Sequence, residues 1–290
     1  TGIAGVENVS VELTELDRPA SPIGQIGLTA KSVIAVGSGK GGVGKSTVAA
    51  AIACGLHRAG SRVGLMDADV YGPSVPHLLG VSGRPQITED KKIEPADCDG
   101  MKIISMGLMV PDDEPIVWRG PMLHGAITQF LRDTAWGDLD YLIIDMPPGT
   151  GDIALTLSQL LPLTGAVVVC TPQDVALLDA VKAIGMFRKV NIPVIGMVEN
   201  MSGFVCDCGK EYEIFGKGGA RDKAESLEVP LLGQIPINIS IRTHGDEGGM
   251  MKLFEDEVAS ESLARIGHQM VKNLSQSSAV SPPLPDLPVL

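Results

Sequence analysis

Short apolar runs alternate with longer amphipathic stretches along this chain, and from about residue 31 the alternation is regular. The runs Val33–Val36, Arg62–Met66, Lys102–Ser105, Tyr141–Ile144, Ala166–Cys170, Val194–Val198 and Leu231–Ile235 are rich in Val and Ile, and most are apolar on both faces. Runs of that kind predict strands buried inside a parallel sheet. Between them, Lys45–Ala59, Met122–Asp133, Ile153–Leu160, Val175–Lys189 and Gly219–Leu227 read as helices. Strand and helix in alternation imply βαβ units with right-handed crossovers. The expected fold class is therefore α/β: one domain over residues 31–274, with a mostly parallel sheet and helices on both faces.

Three segments depart from the alternation. Residues 1–30 are polar and turn-rich, with one short alternation at Val9, Val11 and Leu13 that allows at most a single strand. Residues 200–217 read as a Gly- and Cys-containing insertion after a strand. Over 257–274, Val258, Leu263, Ile266, Met270 and Leu274 fall near helical spacing and predict a last amphipathic helix packed on the body. Residues 275–290 are expected to form a flexible Pro-rich tail.

Composition removes several classes of function. At 44% hydrophobic over 290 residues, the chain can build a substantial core and does not resemble a disordered protein. A formal net charge of −12 is the wrong sign for holding a nucleic-acid backbone, and 3% aromatics give no stacking platform. We therefore expect no nucleic-acid partner. No apolar run approaches the ~18 residues of a transmembrane helix, so no membrane partner is expected either. The five cysteines (Cys54, Cys98, Cys170, Cys206 and Cys208) are too sparse for a disulfide framework, which suits a reducing, cytoplasmic setting. The chain opens on Thr1 without a charged-then-apolar leader, the pattern of a fragment or a processed product without a signal peptide.

The strongest chemical signal is Gly39-Lys40-Gly41-Gly42-Val43-Gly44-Lys45-Ser46-Thr47. It fits G-x-x-x-x-G-K-[ST] and lies between a predicted strand and a predicted helix, as that motif requires. Glycines let the backbone wrap a polyphosphate with its N–H groups inward, and the helix N-terminus favours the anion. Lys45 would reach the β- and γ-phosphates, and the Ser46 hydroxyl would ligand Mg²⁺. Two acidic motifs follow later strands, Asp67-Ala68-Asp69 and Asp145-Met146-Pro147-Pro148-Gly149-Thr150-Gly151-Asp152. One aspartate in such a place also suits a helix cap. Three of them beside a phosphate loop favour holding Mg²⁺ or aligning a water.

Lys40, directly after the first glycine, resembles the deviant form of this loop found in MinD, ParA, the arsenite-pump ATPase and the nitrogenase iron protein. That resemblance implies a MinD-like P-loop NTPase fold and an ATP-dependent homodimer, in which Lys40 reaches the nucleotide of the opposite subunit. It implies further that Asp69 orients the attacking water and Asp67 supports the same loop. Asp145 would be the Walker B aspartate, holding Mg²⁺ through water, and Gly149 the glycine that senses the γ-phosphate. Asn200 and Pro236 match positions that contact the adenine.

Several motifs in order resemble the Mrp/ApbC branch over about residues 31–250: Asp67-Ala68-Asp69-Val70-Tyr71-Gly72-Pro73-Ser74, Trp118-Arg119-Gly120-Pro121, the Asp145–Asp152 motif and Glu199-Asn200-Met201-Ser202. Residues 1–20 resemble the end of a small domain fused upstream in bacterial members. Members of this branch act as iron–sulfur cluster carriers, using a Cys-x-x-Cys pair from each subunit to bridge a [4Fe–4S] cluster. The implied partners are apo iron–sulfur proteins and a cluster-assembly scaffold. Here Cys206-Asp207-Cys208 is one residue shorter than that motif. Residues i and i+2 of an extended segment share a side, so both thiols can still face one ligand. A [4Fe–4S] cluster, a zinc ion shared by two subunits, and a surface pair without a metal all remain open for these thiols. Two other functions compete with the carrier: a positioning ATPase of the MinD/ParA class, and an ATP-coupled reductase component.

Overall fold

The computed structural model describes residues 19–109, 120–149 and 151–280. The alternation at Val9 to Leu13, the Trp118-Arg119 pair, Thr150 and the segment 281–290 lie outside the described residues. In chain order the elements are β1 (Ser21–Ile23), β2 (Leu28–Ser38), α1 (Lys45–Arg58), β3 (Val63–Asp67), α2 (Val75–Leu79), β4 (Ala96–Cys98), β5 (Met101–Ser105) and α3 (Gly120–Asp133). They continue as β6 (Leu139–Asp145), α4 (Asp152–Leu160), β7 (Gly165–Cys170), α5 (Asp174–Lys189), β8 (Val194–Val205), β9 (Glu211–Tyr212), α6 (Gly219–Ser226), β10 (Leu231–Ile237), α7 (Ile239–Asp246) and α8 (Glu257–Val280).

The sheet runs in the order β10-β8-β7-β2-β6-β3-β5-β4. Every pairing between β10 and β5 is parallel, while the short strands β1, β4 and β9 pair antiparallel. The parallel strands need crossovers, and the helices supply them. Alternate residues of β2 serve opposite faces of the sheet. Val33 and Ala35 join a core with α3, α4, α5 and α6, whereas Ile34 and Val36 join one with α1, α2 and α8. Burial on both sides is why these strands read as unbroken apolar runs.

Structure and pattern differ at several ends. β2 begins at Leu28, because its first residues pair with β1 across the Gly24–Gly27 turn. The predicted insertion after Val198 begins as strand: β8 continues to Val205 and turns back into β9. α8 runs on to Val280, past the 274 that its apolar spacing marks. The pattern predicts neither α2 nor α7; α2 has only five residues, too few to show a helical period. α7 is fixed instead by its cap, Asn238, whose Oδ1 accepts from the Ser240 and Ile241 amides.

Candidate functional site

β2 lies at the middle of the sheet, and its C-terminal end feeds the loop 39–44 into α1. Ligands of open α/β sheets bind at this edge. Gly42 and Gly44 both adopt φ +78°, a conformation that side chains disfavour. At Gly39 the reason is contact: an added Cβ would lie 2.0 Å from the Asp179 carbonyl oxygen of α5. The loop thus rests directly on the backbone of a neighbouring helix.

The strand register brings the predicted acids together. Asp145 stands beside Asp67 across the β3–β6 pairing and beside Val36 across the β2–β6 pairing. The buried Lys45 ammonium reaches into this corner, 2.5 Å from Asp145 Oδ1, 3.6 Å from Asp69 Oδ2 and 3.1 Å from Ser46 Oγ. Asp67 is committed to shape. Its Oδ1 accepts from the Asp69 amide, and its Oδ2 accepts from the Val75 amide and the Ser105 hydroxyl. Burial, reinforced by the Asp145 charge, pushes the Asp67 carboxyl up to about 7, against those hydrogen bonds. Burial raises Asp145 as well, opposed by the charge and hydrogen bond of Lys45 and by Ser46.

Asp145 Oδ2 is buried and has no hydrogen-bond partner among the described residues. A buried carboxylate oxygen left over beside a serine hydroxyl is a hard-oxygen donor set, which fits Mg²⁺. Gly149, at φ +96°, donates its amide to the Ser38 carbonyl at 2.8 Å, so its loop lies against the end of β2. Lys40 is partly exposed, and its ammonium has no ion-pair partner among the described residues.

Asn200 and Pro236 belong to a cavity of about 410 Å³ beside the loop, lined also by Gly44, Thr47, Met201 and Arg242. Pro236 lies within β10, which extends past the predicted Ile235. The Asn200 side chain donates Nδ2 to the Val43 carbonyl at 2.9 Å, so it grips the phosphate loop itself.

The cysteines sit apart from this corner, where β8 turns into β9. The Cys206 amide donates to the Lys210 carbonyl at 3.0 Å, and the Gly209 amide to the Cys206 carbonyl at 2.8 Å. This tight turn leaves Cys208 exposed and Cys206 partly exposed, with their Sγ atoms 2.6 Å apart on one side. The hydrogen bond from Cys208 holds the Cys206 thiol below its ordinary range, with nearby backbone amides assisting. Among the described residues, no group of three or more His, Cys, Asp or Glu side chains could hold a metal. One chain therefore offers two thiolates here. Cys54 and Cys170 are buried, and burial pushes Cys170 up to about 12 and Cys54 higher still.

Glu199 is the functional candidate that sequence reading passed over. It is fully buried at the level of Asn200, and its carboxylate accepts from Ser202 Oγ, Gln234 Nε2 and the Gly218 and Ala220 amides. Burial alone would raise this carboxyl, but the four hydrogen bonds outweigh it and hold it low. An acid at the end of an otherwise apolar strand was the visible signal; its partners were not.

A glycine-rich loop between a central buried strand and a helix, with a lysine and paired aspartates at adjacent strand ends, defines a P-loop NTPase. Residues 29–273 match the family described as NUBPL iron-transfer P-loop NTPase, and the chain belongs to that family. Among its relatives is an iron–sulfur cluster carrier protein of Deinococcus radiodurans, 50% identical over 99% of this chain and 82% of the relative. The solved nucleotide-binding protein of Archaeoglobus fulgidus, in complex with ADP, is 39% identical with a TM-score of 0.68, over 77% of this chain and 88% of that one. The cell division ATPase MinD of Pyrococcus furiosus shares the fold, with a TM-score of 0.61 and 22% identity over 83% of this chain and 99% of that one.

Proposed function

We propose that the protein binds and hydrolyses ATP as a homodimer and carries a [4Fe–4S] cluster to apo-proteins, receiving it from an assembly scaffold. The observation that carries this reading is the pairing of two sites on one chain. The chain carries both a phosphate loop with Lys45 already ion-paired to Asp145 and, apart from it, a hairpin that presents two thiols on one side. The ADP in the Archaeoglobus relative and the name of the Deinococcus carrier support the two halves separately.

Lys45 and the loop amides would bind the phosphates, and the Asn200–Pro236 cavity the nucleoside. Ser46 and Asp145 would hold Mg²⁺, whose charge neutralises the β- and γ-phosphate oxygens. Asp69 would orient the attacking water, and Lys40 would reach the nucleotide of the second copy. Four thiolates complete a [4Fe–4S] site, and a twofold axis supplies them from Cys206 and Cys208 of each copy. Thiolate cargo chemistry and five free cysteines suit a reducing compartment such as the cytoplasm.

Anaerobic reconstitution tests the cargo. We expect about four iron and four sulfide per dimer. Cys206→Ala or Cys208→Ala should lose both while nucleotide binding stays intact. A cysteine variant that also lost nucleotide would overturn the separation of the sites. The shortened spacing leaves one rival, a zinc shared between copies, because thiolates suit Zn²⁺ as well as iron. Stoichiometric zinc with no sulfide would establish it.

A further inference from the structure

Glu199 and Asn200 are consecutive on β8, so their side chains leave opposite faces of the sheet. On one face, Asn200 holds the Val43 carbonyl, and a Cβ on Gly44 would lie 2.2 Å from its Nδ2. On the other face, Glu199 holds both ends of the cysteine-bearing segment. Its Oε1 accepts from Ser202 Oγ at 2.5 Å and from the Gly218 amide at 2.9 Å, and its Oε2 accepts from the Ala220 amide at 2.7 Å. Ser202 and Gly218 bracket the residues whose turn carries Cys206 and Cys208.

Between Asn200 and that turn the strand is kinked. Met201 adopts φ +58° and Gly203 φ +74°, and the pairing with β10 slips between Ile235 and Ile237. A non-glycine residue in the left-handed region persists only where its surroundings enforce it. The Glu199–Ser202 bond spans Met201. Pairing with Cys170 on β7 and Gln234 on β10 fixes Glu199 itself.

We propose that Glu199 is a positioning residue that couples the phosphate loop, gripped by Asn200, to the cysteine hairpin, gripped through Ser202 and Gly218. This rests on reading the loop as the nucleotide site and the hairpin as the cargo site. Neighbouring residues of one packed strand cannot shift independently. A displacement of Val43 and Gly44 as phosphate enters moves Asn200, and the kink passes that movement to the thiols. Glu199 sets how much of it arrives.

The test is the alkylation rate of Cys206 and Cys208 by iodoacetamide, read peptide by peptide, in the iron- and zinc-free chain carrying Cys98→Ser, with Mg²⁺ present throughout. Rates are compared with and without ATP, and nucleotide affinity is measured on the same samples with a fluorescent ATP analogue. In the parent protein, ATP should change the rate. Glu199→Gln keeps the size but sets an NH2 group against amide donors; it should bind ATP with parental affinity and lose the rate difference. A purely structural role would alter both rates and preserve their ratio. Should Glu199→Gln fail to fold, Ser202→Ala removes one hydroxyl from the staple and should shrink the ratio. Equal parental rates with ATP bound, or an undiminished ratio in the variants, would overturn the coupling. A parent that bound no ATP would instead overturn the nucleotide reading beneath it. Failure to hold iron leaves this assay untouched.

Discussion

Without the Lys45 ammonium, Asp145 would be a carboxylate with no accessible surface and no other ion-pair partner among the described residues. Breaking a buried pair from one side costs roughly 3–5 kcal/mol, because the remaining charge stays desolvated. Lys45→Ala should therefore lose nucleotide binding and also several kcal/mol of stability in denaturant unfolding. The loss should be smaller at acid pH, where Asp145 can take up a proton. Unchanged stability would mean that Asp145 is already neutral beside the lysine. Asp67 gives a second prediction. Its carboxyl is raised to about 7, so the folded state holds this proton more tightly than the unfolded chain does. The associated stability is complete below about pH 4 and is lost as pH rises through about 7. Melting temperatures of the nucleotide-free protein, referred to Asp67→Asn, should fall between pH 5 and 8. A flat difference would show that Asp67 is ionised throughout. Glu199, and Asp140 of β6 through its hydrogen bonds from Arg62, are held low, so their contributions are lost only at more acid pH.

At the scale of elements, the loop depends on what packs beneath it. Gly39→Ala would drive a methyl into the Asp179 backbone, which cannot move without lifting α5 off β2. We expect a loss of about 1–3 kcal/mol and weaker nucleotide binding, the two read by thermal unfolding and nucleotide titration. Gly41 has only Pro148 near its would-be Cβ, at 3.9 Å, so Gly41→Ala controls for the loss of glycine itself. Equal effects of the two changes would remove α5 from the explanation. The elements that pattern reading found are those with strong physical signatures. Strands buried on both faces leave apolar runs, and helices such as α5 are long enough to show a stripe. α2, α7 and the antiparallel edges β1, β4 and β9 are short. Their stability comes from caps and from pairing with distant strands, neither of which leaves a period in the sequence.

At the scale of the whole molecule, the proposed chemistry needs two copies, because one chain brings two thiols, one exposed and one partly exposed, and a Lys40 with no ion-pair partner among the described residues. Lys40→Ala should retain nucleotide binding in one chain but abolish ATP-dependent association, read by sedimentation velocity. Association that persisted in this variant would place the subunit contact elsewhere. No described helix is long and apolar enough to cross a membrane.

The sequence by itself determined the α/β class, the phosphate loop with Lys45 and Ser46, and the candidate aspartates. Each of these is written locally, as a period, a glycine spacing or a short motif at a strand end. Only the tertiary structure decided that Asp67 and Asp145 stand side by side, that Asn200 holds the loop, and that Glu199 ties the cysteine hairpin to the same strand. The first two contacts join segments far apart in the chain, and the third closes a loop back onto its own strand. Their partners are chosen by strand order and register, which depend on how all the apolar faces are buried together and not on any one stretch of residues.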